Sequence, residues 1–329
     1  MTSLSMDRIA VFGAGLALLV VGAELVVRGA ARLALSFGVK PLLLGLTVVS
    51  VGTSAPELAV GLTAGLQGSG SLAVGNIAGT NVVNILLILG LSVLLRPLPL
   101  QLQTLKLELP VMVGSAALLM VFAWDGVLTR LDGGVMLVGA VLYTVALIRV
   151  SRQESRAVRK EFGEKYGAGI TRQAAIQARA ADTALLAAGL VLSVLGAHWL
   201  VSGAVDIARG LGVSEALIGL TIVAVGTSAP ELTTTIVATF RGERDVAVGN
   251  LLGSSIYNIL VILAITCLAP SGGVPVERHL RVVDIPLMTG VAVLCVPVFV
   301  TGRRVSRLEG CLFVTMYMAY VLSLGLYRT

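Results

Sequence analysis

The sequence predicts an all-α polytopic membrane protein with ten transmembrane helices in two inverted five-helix repeats. Three observations carry that prediction. Charged residues make up only 13% of the 329-residue chain. Apolar runs near bilayer length recur ten times. The first half of the sequence returns in the second at a fixed offset. A soluble domain of this size carries about 25% charge. With 56% hydrophobic residues and a mean hydropathy of +0.95, this chain cannot cover a water-facing surface.

A helix needs roughly 20 apolar residues to cross a hydrocarbon core of about 30 Å. Ten segments approach that length: 9–31, 40–66, 72–95, 107–124, 133–150, 183–207, 214–240, 246–269, 282–301 and 308–327. The first is too long for a signal-peptide core and its flank, Asp7-Arg8, is mixed in charge, so it reads as a span rather than a cleaved leader. The runs are uninterrupted rather than alternating, which argues against a membrane barrel and for helices. With the N-terminus outside, 18 of the 24 Lys and Arg residues fall on the inner side and 6 on the outer. That asymmetry predicts a multi-pass protein with both termini outside. The chain divides into a first repeat (1–150, core motif 45–95), a basic cytoplasmic connector (151–181) and a second repeat (182–329, core motif 219–269).

The repeat is explicit. Gly45 to Glu57 reads GLTVVSVGTSAPE and Gly219 to Glu231 reads GLTIVAVGTSAPE, so eleven of 13 positions agree at an offset of 174. The same offset pairs Gly22-Ala23 with Gly196-Ala197, Gly75-Asn76 with Gly249-Asn250, and Asn84 with Asn258. A period of 174 residues is too long for a solenoid. It holds five spans, and an odd number inverts the second copy in the membrane, as in many secondary transporters.

Glu57 and Glu231 lie deep inside the second and seventh spans. A carboxylate there is expensive and faces a water-filled path or a partner. A buried ion pair joining helices is the plainer reading, but no basic residue sits within a helical turn of either Glu. Pro56 and Pro230 precede them, and each proline frees the carbonyl four residues back, at Gly52 and Gly226. Carboxylate, hydroxyl and freed carbonyl oxygens suit a hard cation such as Ca2+, which takes six to eight oxygens in irregular geometry. No His or Cys joins them, which argues against a soft metal. On the third and eighth spans Thr80 and Asn84, and Ser254 and Asn258, stand four residues apart on one helical face. The neighbouring glycines serve close helix packing. Glu24, with Arg28 at i+4 and His198 as its counterpart, reads as structural or as vestibule lining rather than as a ligand.

These residues resemble the cation/calcium exchanger superfamily, in its prokaryotic sodium/calcium exchanger branch. The resemblance rests on GTSAPEL twice, each followed by a G-N-x-x-G-[ST] segment. It implies ten helices, a place in the prokaryotic plasma or inner membrane, and exchange of Na+ for Ca2+ by alternating access. It also implies an ion-binding set of Ser50, Thr53, Ser54, Glu57, Thr80 and Asn84, with Ala224, Thr227, Ser228, Glu231, Ser254 and Asn258. Two positions depart from relatives: Ser50 stands where some carry Ala, and Asn258 where some carry Asp. The site then has two acids, matched in charge by one Ca2+, two Na+ or two H+. Na+/Ca2+ antiport is therefore the leading expectation, with Ca2+/H+ antiport through the same glutamates as the alternative and a cation channel behind both.

Other classes fit poorly. The formal charge of +6 suggests nucleic acid, but the basic residues sit between apolar runs without aromatic clustering, as in membrane loops. An intramembrane hydrolase would need a base beside its nucleophile, and neither His lies in a motif. The expected partners are the lipid bilayer and the ions Ca2+ and Na+ or H+. No cofactor, enzymatic activity or obligatory protein partner is expected. Cys267, Cys295 and Cys311 lack metal-ligand spacing and read as packing residues.

Overall fold

A computed structural model of the chain describes residues 6–102, 104–166, 172–213, 222 and 224–327. It is helical throughout apart from two short two-stranded pairings. The helices are α1 (Met6–Phe37), α2 (Pro41–Thr53), α3 (Ala55–Leu66), α4 (Gly70–Leu95), α5 (Thr104–Asp125) and α6 (Arg130–Tyr166). They continue with α7 (Arg172–Gly210), α8 (Ala224–Thr227), α9 (Ala229–Arg241), α10 (Arg244–Leu268), α11 (Leu280–Val300) and α12 (Arg307–Tyr327).

Eight helices among the described residues are long and apolar enough to cross a membrane, or nine if α2 and α3, bent by 45°, form one span. The start of the seventh expected span, 214–221 and 223, lies outside the described residues. Its described part is the broken pair α8 and α9. The polar stretch 151–181, expected as a connector, is helical to Tyr166 and again from Arg172.

The strands tie loops together at two levels. β1 (Leu98–Pro99) pairs antiparallel with β4 (Arg304–Val305), and β2 (Val127–Leu128) with β3 (Val274–Pro275). Loops 96–101 and 301–306 therefore share one end of the bundle, and loops 126–129 and 270–276 share the other.

Burial ranks the helices. In α4 and α10, 78% and 83% of the apolar window is buried, against 28% in α1, α6 and α7. The two motif helices thus form the centre, and the largest apolar cluster gathers round them, with Ile77, Leu86, Leu251 and Ile259 at 3% exposure or less. Close approach has a local cause. A Cβ on Gly249 would lie 2.9 Å from the Gly45 Cα, so α2 and α10 cross backbone to backbone at these glycines. On the flank α1 runs antiparallel along α7, where a Cβ on Gly22 would meet the Gly189 carbonyl oxygen at 2.9 Å.

The cysteines divide. Cys267 and Cys295 are buried as packing residues, but Cys311 is exposed on α12, whose outer face carries Leu308 and Leu312 as well.

Candidate functional site

The site begins with two helix breaks. Ser54 has φ −81° and ψ 13°, and Ser228 has φ −87° and ψ 11°, both outside helical geometry. Each is followed by a proline in the first turn of the next helix, where its missing N–H costs nothing. The break turns the chain and places Glu57 and Glu231 in the first turns of α3 and α9. Anions are favoured at that end of a helix by its exposed N–H groups and dipole.

Both glutamates have 0% exposure. No ion pair among the described residues involves either. Ser54 donates a hydrogen bond to Glu231 Oε1 at 3.0 Å, joining the first motif to the second. Thr80 stands near Glu57 but outside hydrogen-bond geometry. Thr53 donates to Asn250 Oδ1 at 3.1 Å. Asn250 Nδ2 in turn donates to the Glu231 carbonyl at 3.3 Å and to Thr235 Oγ1 at 3.1 Å. Ser50 spends its proton on the Leu46 carbonyl at 2.8 Å, which keeps the hydroxyl's lone pairs as its only remaining offer. Ser254 donates to the Ser50 carbonyl at 3.4 Å.

The oxygens left over define the chemistry. Glu57 Oε1 and Oε2, Glu231 Oε2, Asn84 Oδ1, Asn258 Oδ1, Ser228 Oγ and Thr234 Oγ1 are all buried with no hydrogen-bond partner among the described residues. Buried polar atoms in native proteins are nearly always paired, and an ionised carboxylate left alone costs several kcal/mol. Unpartnered buried oxygens on the two carboxylates and on other side chains of the motif helices are what a bound hard cation would satisfy. Among the described residues no three His, Cys, Asp or Glu side chains gather, so such a cation would be held by two acids and neutral oxygens.

The expected set divides as follows. Ser50, Thr53, Ser54, Glu57, Asn84, Ser228, Glu231, Ser254 and Asn258 are fully buried, and Thr80 is 3% exposed. Thr227 is half-buried and, with Thr80 and Asn76, lines a cavity of about 730 Å3. That cavity also touches Ser71, Glu277, His279 and Asp284 near the helix ends. Thr80 is nine residues along α4 from Ser71, about 13 Å at helical rise. The cavity is therefore a path from the bundle end toward the site. The side chain of Ala224 lies outside the described residues.

Four features were not anticipated. Asn250 is the hub between Thr53, Glu231 and Thr235; its pairing with Asn76 in the repeat was the available signal. Thr234 and Thr235, fully buried, break the repeat, since Val60 and Gly61 hold the matching places. The π-helical turns Val83–Leu89 and Asn258–Leu263 begin at or beside Asn84 and Asn258, widening the helix there. Glu24 pairs not only with Arg28 but also with Arg241 across the helices, at 3.0 Å from Arg241 Nε. Those two partners account for Glu24 without an ion.

Comparison with known proteins accords with this geometry. The sequence model of the family described as sodium/calcium exchanger protein matches residues 8–149 and 182–325. The inner membrane protein YrbG of Escherichia coli is 36% identical over 85% of this chain and 86% of its own length. The sodium/calcium exchanger MaX1 of Methanosarcina acetivorans is 30% identical over 94% and 96%. A solved structure of the sodium-calcium exchanger NCX_Mj superposes with a TM-score of 0.81 at 28% identity, covering 98% of this chain and 100% of that one.

Proposed function

Because the chain belongs to the sodium/calcium exchanger protein family, we propose that it is a secondary active antiporter exchanging Na+ for Ca2+, with Ca2+ held between Glu57 and Glu231. The observation that carries this reading is the set of buried, unpartnered oxygens on the motif helices, three of them on the two carboxylates. Ca2+ takes six to eight oxygen ligands in flexible geometry, and the two acids match its charge.

Ten spans in two inverted five-helix repeats complete the reading. Its support is the recurrence of local structure at nearly the same offset: the breaks at Ser54 and Ser228, the π turns Val83–Leu89 and Asn258–Leu263, and the π turns Thr104–Glu108 and Leu280–Asp284. Alternating access follows if the two copies exchange conformations about the shared site. The cavity reaching Thr80 and Thr227 then represents access from one side. The excess of Lys and Arg on the 151–181 side supports a cytoplasmic position for that end, with both termini outside.

The neutral Asn258 favours keeping a second coupling in view. Two H+ balance two glutamates as well as one Ca2+ does, whereas three Na+ would leave a net positive charge in a low-dielectric cavity. Calcium uptake into proteoliposomes under an imposed Na+ gradient, against an imposed pH gradient, separates the two. Na+-driven uptake is expected; uptake equally fast without Na+ would replace Na+ by H+ as the coupling ion.

A further inference from the structure

Asn258 reaches across to the other motif helix. Its Nδ2 donates to Asn81 Oδ1 at 3.2 Å. The two ends of an amide look alike in shape, and only the surrounding network tells them apart. Here the network has a fixed end. Asn81 Nδ2 donates to the Ser255 backbone carbonyl at 3.0 Å and faces the Met288 sulfur at 3.7 Å. A carbonyl oxygen accepts and never donates, so Asn81 must present its NH2 group to Ser255 and its oxygen to Asn258. Asn258 must then give its NH2 group to Asn81, and its Oδ1 is the end left without a partner at 0% exposure.

The matching position in the other repeat has no such device. Ser255 is the counterpart of Asn81, and its hydroxyl donates to Leu251 in its own helix at 3.0 Å. Asn84, the counterpart of Asn258, keeps both amide ends unpartnered. One of the two site asparagines is therefore locked in orientation and the other is not.

We propose that Asn81 is a positioning residue that fixes the amide of Asn258 with its oxygen toward the cation and its NH2 group away from it. The inference rests on the exchanger reading above. A cation gains from a carbonyl oxygen and is repelled by an amide NH2, so an unlocked Asn258 weakens the site in whatever fraction of molecules it is turned. A carboxylate at 258 has no wrong face, so it needs no lock.

The test is Ca2+ uptake into proteoliposomes by the full chain, resolved into KM and maximal rate. Asn81→Leu should raise KM for Ca2+ about tenfold, with a smaller change in maximal rate. Asn258→Asp introduced into Asn81→Leu should bring KM back to within about threefold of native, a rescue that lost packing would not permit. The smaller Asn81→Ala, with and without Asn258→Asp, should give the same rise and the same rescue, and decides the matter if Asn81→Leu does not fold. An unchanged KM in whichever Asn81 variant folds, or a raised KM that Asn258→Asp leaves in place, overturns the inference. Absence of Ca2+-dependent flux in the native chain would instead overturn the exchanger reading itself and this inference with it.

Discussion

Ser54 and Glu231 are joined by a 3.0 Å hydrogen bond, although 177 residues separate them in the chain. The bond makes the hydroxyl of one motif the support of the carboxylate of the other. It aims one oxygen of Glu231 and leaves Oε2 unpartnered. Ser54→Ala should therefore raise the KM for Ca2+ by about tenfold, the worth of one hydrogen bond to a charged group. Uptake kinetics check this, with the melting temperature in detergent expected to fall only slightly.

Asn250 should matter more to folding than to ion affinity alone. It bridges Thr53, the Glu231 carbonyl and Thr235, all buried. Asn250→Leu removes the amide that joins Thr53, the Glu231 carbonyl and Thr235 Oγ1. Thr53 keeps the Ser50 carbonyl at 3.3 Å, and each group left unsatisfied costs about 1–3 kcal/mol. A lower thermal transition together with reduced uptake is expected. The melting curve of purified protein checks it.

Gly79 and Gly253 are equivalent in the repeat but should answer differently to alanine. A Cβ on Gly253 would fall 2.6 Å from the Leu46 carbonyl oxygen and 2.7 Å from Ser50 Oγ, whereas one on Gly79 meets nothing within 4 Å. Gly253→Ala must push α2 from α10 and should abolish uptake. Gly79→Ala should leave uptake within about twofold of native, since small changes in open space are worth about 0.5 kcal/mol or less. Side-by-side uptake assays check the contrast.

Glu24→Gln should leave Ca2+ affinity unchanged. The carboxylate is partly exposed and is engaged by Arg28 and Arg241, and exposed ion pairs are worth about 0–1 kcal/mol. A native KM with a small loss of thermal stability is expected from uptake and melting measurements.

The sequence made the periodic and the duplicated features legible. GTSAPE repeated at an offset of 174 pointed to Glu57, Glu231 and the proline-linked breaks, because a buried acid and a helix break each leave a mark on local sequence. The helices around α4 and α10 followed from apolar length. Other features were hidden because their causes are tertiary. Nothing near Asn250 in the chain announces Thr53, 197 residues away. The orientation of Asn258 depends on the backbone carbonyl of Ser255 acting through Asn81, which no residue pattern encodes. The π turns at Val83 and Asn258 sit in apolar runs that read equally well as regular helix. The basic stretch after Ser151 reads as a polar connector, and its helical form to Tyr166 and from Arg172 left no apolar period in the sequence.

The most direct test of the shared site is Ca2+ uptake by the native chain, Glu57→Gln and Glu231→Gln, each purified as a monodisperse protein and reconstituted at equal density. Each substitution removes one of two buried charges and keeps the side chain's shape. Both variants should lose Ca2+ transport by at least about a hundredfold, in line with removal of one member of a buried charged cluster, while remaining folded. Transport at the native rate and KM in either variant would contradict a Ca2+ ion held between the two glutamates.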